Sequence, residues 1–516
     1  MYSNKIKKIL VPFFLIFLVI LTRFYCLDWG NGFFFNPDEN NMATAILKMT
    51  SSDLNPNFFA YGQFPLFLTF FTTPVHNFFT ITITLRFWSA VFSSLSILFF
   101  YFISKNIFKS QKLSYIFTLL LIFTPGLIQS AHFGTTESLL FFVFSTNIFL
   151  SLKYYKNQKK IYFLFSILVS AIGLGSKITA VFFILPVYFC FFLIFLKDKK
   201  ILNFISTVFI FTLFVSFLSL LFSPFNIIKF SDFKSSMIYE TSVATGKTLV
   251  FYTRQFENSI PYIFQIKKVF PYANGIFIFI FSSLGFIIFL KNKIEKKIAI
   301  ILIPSIIYFI YAGQLFTKWS RFMSPLFFLA PFFCLFIFQK IKSNFFIFIL
   351  TILMVSPGIY FFQKYFSPDI RVSATNWINS NIPPNSFILS EGGNIINIPL
   401  SSENLHVSNF DFYSLKNIHD LSIEINKSDY IIIPSRRIFK NQNNKNYPIS
   451  QNYYQNLFSG NFGFKEIKII SNQKDLFLNS ENAEETWSVF DSPTIRVYKK
   501  FTNLNLDDYQ ELLKNN

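Results

Sequence analysis

The chain of 516 residues has only three cysteines and four histidines. Cys26, Cys190 and Cys334 each fall inside an apolar run, which excludes a disulfide framework and reads as three small buried hydrophobes. His406 and His419 lack ligand-like spacing and give no support to a zinc site. Charge is scarce as well, at 14% of residues, and it is unbalanced, with a net charge of +20. Such an excess would suit a nucleic-acid partner, but much of it sits in short Lys-rich breaks between apolar runs. There the positive-inside bias of membrane proteins explains it, and no nucleic acid is expected. Internal repeats are absent, and no disordered tract exceeds Asn441–Asn446. No small-residue cleavage site follows the apolar part of Met1–Leu27, so that segment reads as a retained first span. The nearest approach to a phosphate-binding loop, Ala244-Thr245-Gly246-Lys247-Thr248, lacks the first glycine and the strand–loop–helix context.

What the chain has in quantity is apolar surface, 52% hydrophobic residues including 79 Phe. The accompanying wealth of Ile, Asn and Lys fits an AT-rich coding bias, so a single Phe carries little information. The runs are long enough to cross a bilayer. Ile9–Leu27 is the first, with Lys5, Lys7 and Lys8 before it on the cytoplasmic side. The breaks Lys105–Lys112, Lys153–Lys160, Lys197–Lys200, Lys291–Lys297 and Lys340–Lys342 are all basic. If all are cytoplasmic, the chain crosses an even number of times between each pair, turning at Thr124–Thr136, Gly173–Lys177, Ser223–Pro271 and Thr317–Arg321. With Ser343–Phe362 as the last span, the count is about eleven crossings at roughly 20 residues each. The C-terminus then lies outside.

From Ser367 the composition turns polar. Strand-like runs at Ser386–Ser390, Tyr430–Pro434, Glu466–Ile470 and Ile495–Tyr498 alternate with helix-like pieces at Ala374–Ser380 and Tyr453–Phe458. The predicted architecture is therefore an α-helical polytopic membrane domain over 1–366, with a first outer loop at 28–80, followed by an α/β extracytoplasmic domain over 367–516.

The few charges near the predicted outer ends of the helices are chemically mixed: Arg23, Asp38, Glu39, Arg86, His132, Glu137, Lys177, Lys318 and Arg321. Asp38 and Glu39 follow Pro37, which suits the first turn of a helix, where the positive end of the helix dipole favours carboxylates. Arg86, Lys177 and Arg321 oppose the inside bias. Each alone is compatible with snorkelling to headgroups; together with three carboxylates they suit an anionic ligand at the outer surface. Arg and Lys match phosphate oxygens, and a carboxylate can accept the proton of an acceptor hydroxyl or amide. A lipid phosphate held by cations leaves as a stable anion, so one base and two or three cations make a workable site.

Several segments together resemble the phospholipid-carrier-dependent glycosyltransferases of the GT-C fold, in particular the bacterial branch related to protein O-mannosyltransferases (glycosyltransferase family 39). They are Phe35-Asn36-Pro37-Asp38-Glu39, Asn55-Pro56, Tyr61-Gly62-Gln63-Phe64-Pro65-Leu66, Arg86, Ala131-His132-Phe133-Gly134-Thr135-Thr136-Glu137, Gly173-Leu174-Gly175-Ser176-Lys177 and Arg321-Phe322-Met323-Ser324-Pro325. The resemblance continues through Trp377-Ile378-Asn379 and Val489-Phe490-Asp491-Ser492-Pro493. It departs at Glu137, commonly Asp in relatives, and at Ser390-Glu391-Gly392-Gly393, where bulkier residues are usual. The resemblance implies an inverting transfer of sugar from a polyprenyl-phosphate carrier to an unidentified acceptor, outside the cytoplasmic membrane. It implies Asp38 as base and Glu39 as its neighbour, with Arg86, Lys177, Arg321, Glu137, His132, Tyr61 and Gln63 on the substrates. A site of carboxylates and cations can work without a metal, whereas Asp38 with Glu137 could hold one divalent cation. Three other classes are open: a lipid-linked polysaccharide polymerase or ligase, which would use Arg/His-rich outer loops; a transporter or flippase, which would place charges at mid-membrane; and a non-catalytic scaffold presenting the outer domain.

Overall fold

The computed structural model describes residues 2–393, 396–400, 404–413, 417–441, 447–471 and 476–514. All of the Asn441–Asn446 tract but its first residue lies outside the described residues. The chain divides into two compact units. One comprises Met1–Leu27, Asp38–Thr248 and Ile260–Gln363; the other joins Asp28–Pro37 and Leu249–Ser259 to Lys364–Asn516.

The first unit is helical. It begins with α1 (Tyr2–Phe24), α2 (Pro37–Leu47), α3 (Phe64–Thr72), α4 (Phe78–Phe108) and α5 (Gln111–Ile122). It continues through α6 (Pro125–His132), α7 (Glu137–Asn157), α8 (Lys160–Leu174), α9 (Val181–Asp198) and α10 (Ile201–Phe222) to further helices ending at Phe362. Among the described residues, six helices are long and apolar enough to cross a membrane, or eight if each of two bent pairs counts as one span. Three more apolar helices, Leu10–Phe24, Lys160–Leu174 and Ile276–Leu290, are shorter than that criterion. Eight spans and these three shorter helices together make eleven apolar helical segments, the number of crossings expected from the hydropathy runs.

Local chemistry sets the helix ends. Asn77 opens α4 with a capping box, its side chain accepting from Thr80 N at 2.9 Å, which satisfies a backbone donor the helix itself cannot. Lys109 closes α4 in the left-handed region, at φ +50°. Pro125 fits the first turn of α6, where its missing N–H costs nothing, and α6 runs at 56° to α5. Arg23, wholly buried, donates to the carbonyls of Leu121 and Ile122 at 3.2 and 3.0 Å, and to Ser93 Oγ at 3.1 Å. It thus places a cation on the carbonyl end of α5, where the helix dipole favours one.

The second unit holds a five-stranded sheet in the order β2-β1-β3-β5-β4. The strands are β1 (Phe387–Glu391), β2 (His406–Phe410), β3 (Tyr430–Ile433), β4 (Phe464–Ile470) and β5 (Ile495–Lys500). β1 pairs in parallel with β2 and β3, and β5 pairs antiparallel with β3 and β4. Alternate residues face opposite layers. Leu389, Ile431 and Ile433 pack with Leu421, Ile425, Tyr454 and Leu513 on one face. Ile388, Tyr430, Ile432 and Val497 pack with Ile370, Ala374 and Ile378 on the other. Central β3, covered on both faces, is the uninterrupted apolar run that a strand buried on both sides requires. β2 was not anticipated. It is a polar, half-exposed edge strand, and the edge position does not demand apolar residues.

Candidate active site

Pro37 starts α2 and places Asp38 and Glu39 in its first turn. Adjacent positions on a helix point about 100° apart, so the two carboxylates meet different surroundings. Asp38 forms an ion pair with Arg321, and the two side chains remain 20% and 24% exposed. Glu39 is wholly buried, as is its partner Arg86. Arg86 Nε donates to Glu39 Oε1 at 2.8 Å, its Nη1 donates to the Leu27 carbonyl at 2.6 Å, and Gly134 N donates to Glu39 Oε2 at 3.0 Å. A Cβ on Gly134 would lie 2.7 Å from Leu85 Cβ and 3.2 Å from Glu39 Cγ, so the close approach of this loop to α2 and α4 requires glycine. This network fixes α2, and Asp38 with it, against α4 and the segment between α6 and α7.

Arg321 lies on the short helix Ser320–Met323. Its backbone is anchored: Ser324 Oγ donates to the Arg321 carbonyl at 2.9 Å, and Tyr308 Oη donates to the Phe322 carbonyl at 2.6 Å. The guanidinium stands 5.3 Å from the Trp319 ring and 5.9 Å from the Phe322 ring. On the same Phe322 ring, at 5.8 Å, is the ammonium of Lys177. Lys177 is 3.5 Å from Glu137 Oε1 and 4.9 Å from the Tyr61 ring. Burial, with the negative charges of Glu137 and Glu240 adding to it, holds the Tyr61 phenol well above its ordinary range, so it stays protonated. Two carboxylate–cation pairs thus flank one aromatic ring. Asp38, Arg321, Lys177, Glu137 and Tyr61 are brought together.

Other expected site residues serve the scaffold. Arg86, expected beside a phosphate, is committed to Glu39, and Glu39 is removed from solvent with it. His132, also fully buried, spans the Ile128 and Tyr25 carbonyls at 2.8 and 3.0 Å, joining the ends of α6 and α1. Gln63 is buried in a clasp. Its backbone N donates to Ser223 Oγ at 2.7 Å, its side chain bridges Asn226 and Phe225 N, and Ser223 Oγ donates to the Gly175 carbonyl at 2.9 Å. Gly62 N donates to the Ser176 carbonyl at 2.8 Å, and a Cβ on Gly62 would lie 2.1 Å from the Gly175 oxygen. Lys318 is buried and donates to the Phe316 carbonyl at 2.9 Å; loss of solvent holds its ammonium below the usual range.

Two contributors went unnoticed in the sequence. Phe322 was one phenylalanine among 79, and Glu240, exposed on the helix Phe230–Ala244, lay inside a long connecting segment. A divalent cation fits this donor set poorly, because Asp38 and Glu137 each already face a cation. Among the described residues, no group of three His, Cys, Asp or Glu side chains is disposed to hold a metal ion.

Residues 65–226 match a family model described as dolichyl-phosphate-mannose-protein mannosyltransferase. The matched span contains Arg86, His132, Glu137 and Lys177, and it excludes Asp38 and Arg321. The match covers about a third of the chain. No curated protein matches it by sequence. Among solved structures, ArnT from Cupriavidus metallidurans bound to undecaprenyl phosphate is similar at 11% identity, over 95% of this chain and 97% of that one, with a TM-score of 0.46. The same protein in its apo state is similar at 10% identity, over 84% and 93%, with a TM-score of 0.47. An Archaeoglobus fulgidus oligosaccharyltransferase tethered to an acceptor peptide is similar at 12% identity, over 86% and 71%, also with a TM-score of 0.47.

Proposed function

We propose that this protein is a glycosyltransferase, moving a sugar, with inversion, from a polyprenyl-phosphate carrier to an acceptor on the outer face of the cytoplasmic membrane. The observation that carries this reading is the Asp38–Arg321 pair: a carboxylate on a rigidly held helix start, facing an arginine, with both still open to solvent. Asp38 takes the proton of the acceptor as its oxygen or nitrogen attacks the anomeric carbon from the side opposite the phosphate. Arg321 is the cation for the leaving phosphate, with Lys177 as the second, and guanidinium geometry suits phosphate oxygens. Glu137 and the rings of Tyr61 and Phe322 offer a carboxylate for sugar hydroxyls and apolar faces for sugar C–H bonds. The match of residues 65–226 supports a carrier-linked donor.

The test is to incubate purified full-length protein with a panel of polyprenyl-phosphate sugars and follow donor consumption. Consumption of at least one donor, lost in Asp38→Asn, is the expected result; binding of carrier without turnover of any donor would overturn it. The orientation is tested with a cysteine at exposed Asn461 in a chain whose own three cysteines are replaced. Labelling of intact cells by an impermeant maleimide is expected, and labelling only after lysis would place that residue in the cytoplasm.

A further inference from the structure

Asp38 cannot serve an acceptor fully while Arg321 occupies its carboxylate, and Arg321 cannot serve a phosphate fully while it holds Asp38. Both proposed roles therefore draw on one contact. We propose that Arg321 is exchanged between Asp38 and the donor phosphate, so that the base is released only when the donor is in place. The inference rests on the glycosyl-transfer reading above and adds an order to it: donor first, acceptor second.

Three features of the site favour exchange over a fixed pair. The two side chains are 20% and 24% exposed, and an ion pair that open to water is weak enough to be displaced. The neighbouring Glu39–Arg86 pair, in contrast, is 0% exposed on both sides, so the backbone carrying Asp38 stays put while its partner changes. The backbone at Arg321 is likewise held, by Ser324 at its own carbonyl and by Tyr308 at the carbonyl of Phe322. The Arg321 guanidinium stands 5.3 Å from the Trp319 ring and 5.9 Å from the Phe322 ring, and aromatic faces attract a cation without fixing it to one anion. Only side-chain rotation is required.

The chemistry balances around the exchange. The acceptor hydroxyl gives its proton to Asp38, and its oxygen bonds to the anomeric carbon. The bond from that carbon to the phosphate oxygen breaks, and the electron pair leaves on the oxygen that Arg321 now faces. A phosphodiester carries one negative charge and the product monoester up to two, so Arg321 is held most firmly just after transfer. Departure of the carrier phosphate returns it to Asp38.

The experiment measures binding of a radiolabelled polyprenyl monophosphate to full-length protein in nanodiscs of zwitterionic lipid. If Asp38 competes for Arg321, Asp38→Asn and Asp38→Ser bind the carrier tighter than wild type, by about fivefold or more, while Arg321→Gln binds it more weakly. Affinity in the Asp38 variants equal to or below that of wild type, in protein with an unchanged unfolding midpoint, would overturn the exchange. Should Asp38→Asn fail to fold, the Ser variant carries the measurement. Failure of the parent reading looks different: tighter carrier binding in the variants with no donor consumed by wild type leaves the exchange standing and removes the transferase role. Donor turnover without tighter binding in the variants does the reverse.

Discussion

Glu39 and Arg86, 47 residues apart in the chain, form an ion pair from which solvent is wholly excluded. Removing charged groups from water is costly, and Coulombic attraction offsets that cost only where the remaining oxygens and protons are also bonded. Here Glu39 Oε2 accepts from Gly134 N and Arg86 Nη1 donates to the Leu27 carbonyl. The pair's place beside Asp38 makes it the mounting of the candidate base.

Breaking that pair on one side leaves a buried charge alone. Glu39→Gln or Arg86→Met should each lower stability by about 3–5 kcal/mol, and the double variant Glu39→Leu/Arg86→Met should recover part of the loss. Urea or thermal unfolding in detergent measures this. A Glu39→Gln protein as stable as wild type would show that the pair is dispensable.

Asp38→Asn should separate from Glu39→Gln in the opposite way. Turnover of a lipid-linked donor should fall by roughly 10²–10⁴, with the unfolding midpoint nearly unchanged, because Asp38 lies in a partly exposed pair. Near-normal turnover would remove Asp38 from the role of base.

Gly134→Ala adds a carbon 2.7 Å from Leu85 Cβ and pushes the Gly134 N–H away from Glu39. A loss of about 1–3 kcal/mol is expected from overpacking, together with reduced turnover as α2 shifts. Crystallographic or cryo-EM density showing α2 unmoved, with full activity, would count against the proposed mounting.

In the second unit, burial pushes the Glu391 carboxyl up to about 8, while the Tyr454 hydroxyl, donating to Oε1 at 2.6 Å, and the charge of Arg496 partly oppose this. Its folded value lies above its ordinary 4.5. The stability it contributes is therefore complete below about pH 4.5 and is lost as pH rises through about 8. Glu391→Gln keeps the acceptor for Tyr454 and cannot ionise. Its unfolding midpoint should fall less than that of wild type between pH 5 and 9, and identical slopes for the two proteins would contradict this.

Much of the helical plan was legible because apolar runs and basic breaks are one-dimensional signals. Pro37 marks a helix start and Lys105–Lys112 marks a turn without reference to anything distant. The strand Tyr430–Ile433 was legible for the same reason, being apolar at every position. Pairing was not. Nothing local distinguishes Arg86, bound to Glu39, from Arg321, bound to Asp38; both read as cations near the end of an apolar run. Gln63 finds Ser223 across 160 residues, and no motif announces such a contact. Phe322 could not be picked out in a chain this rich in phenylalanine, and His406–Phe410 was too polar to register as a strand.

Arg23 carries a consequence for the order of assembly. The carbonyls that receive its guanidinium belong to residues 98 and 99 positions later, so α1 is synthesised well before its partner exists. Until α5 arrives, the charge must stay hydrated at the membrane edge, and α1 must wait with its Arg23 end shallow in the bilayer. The carbonyl end of α5, left open by the Thr124-Pro125 break, is thus a partner that Arg23 meets only after residues 121 and 122 have been made.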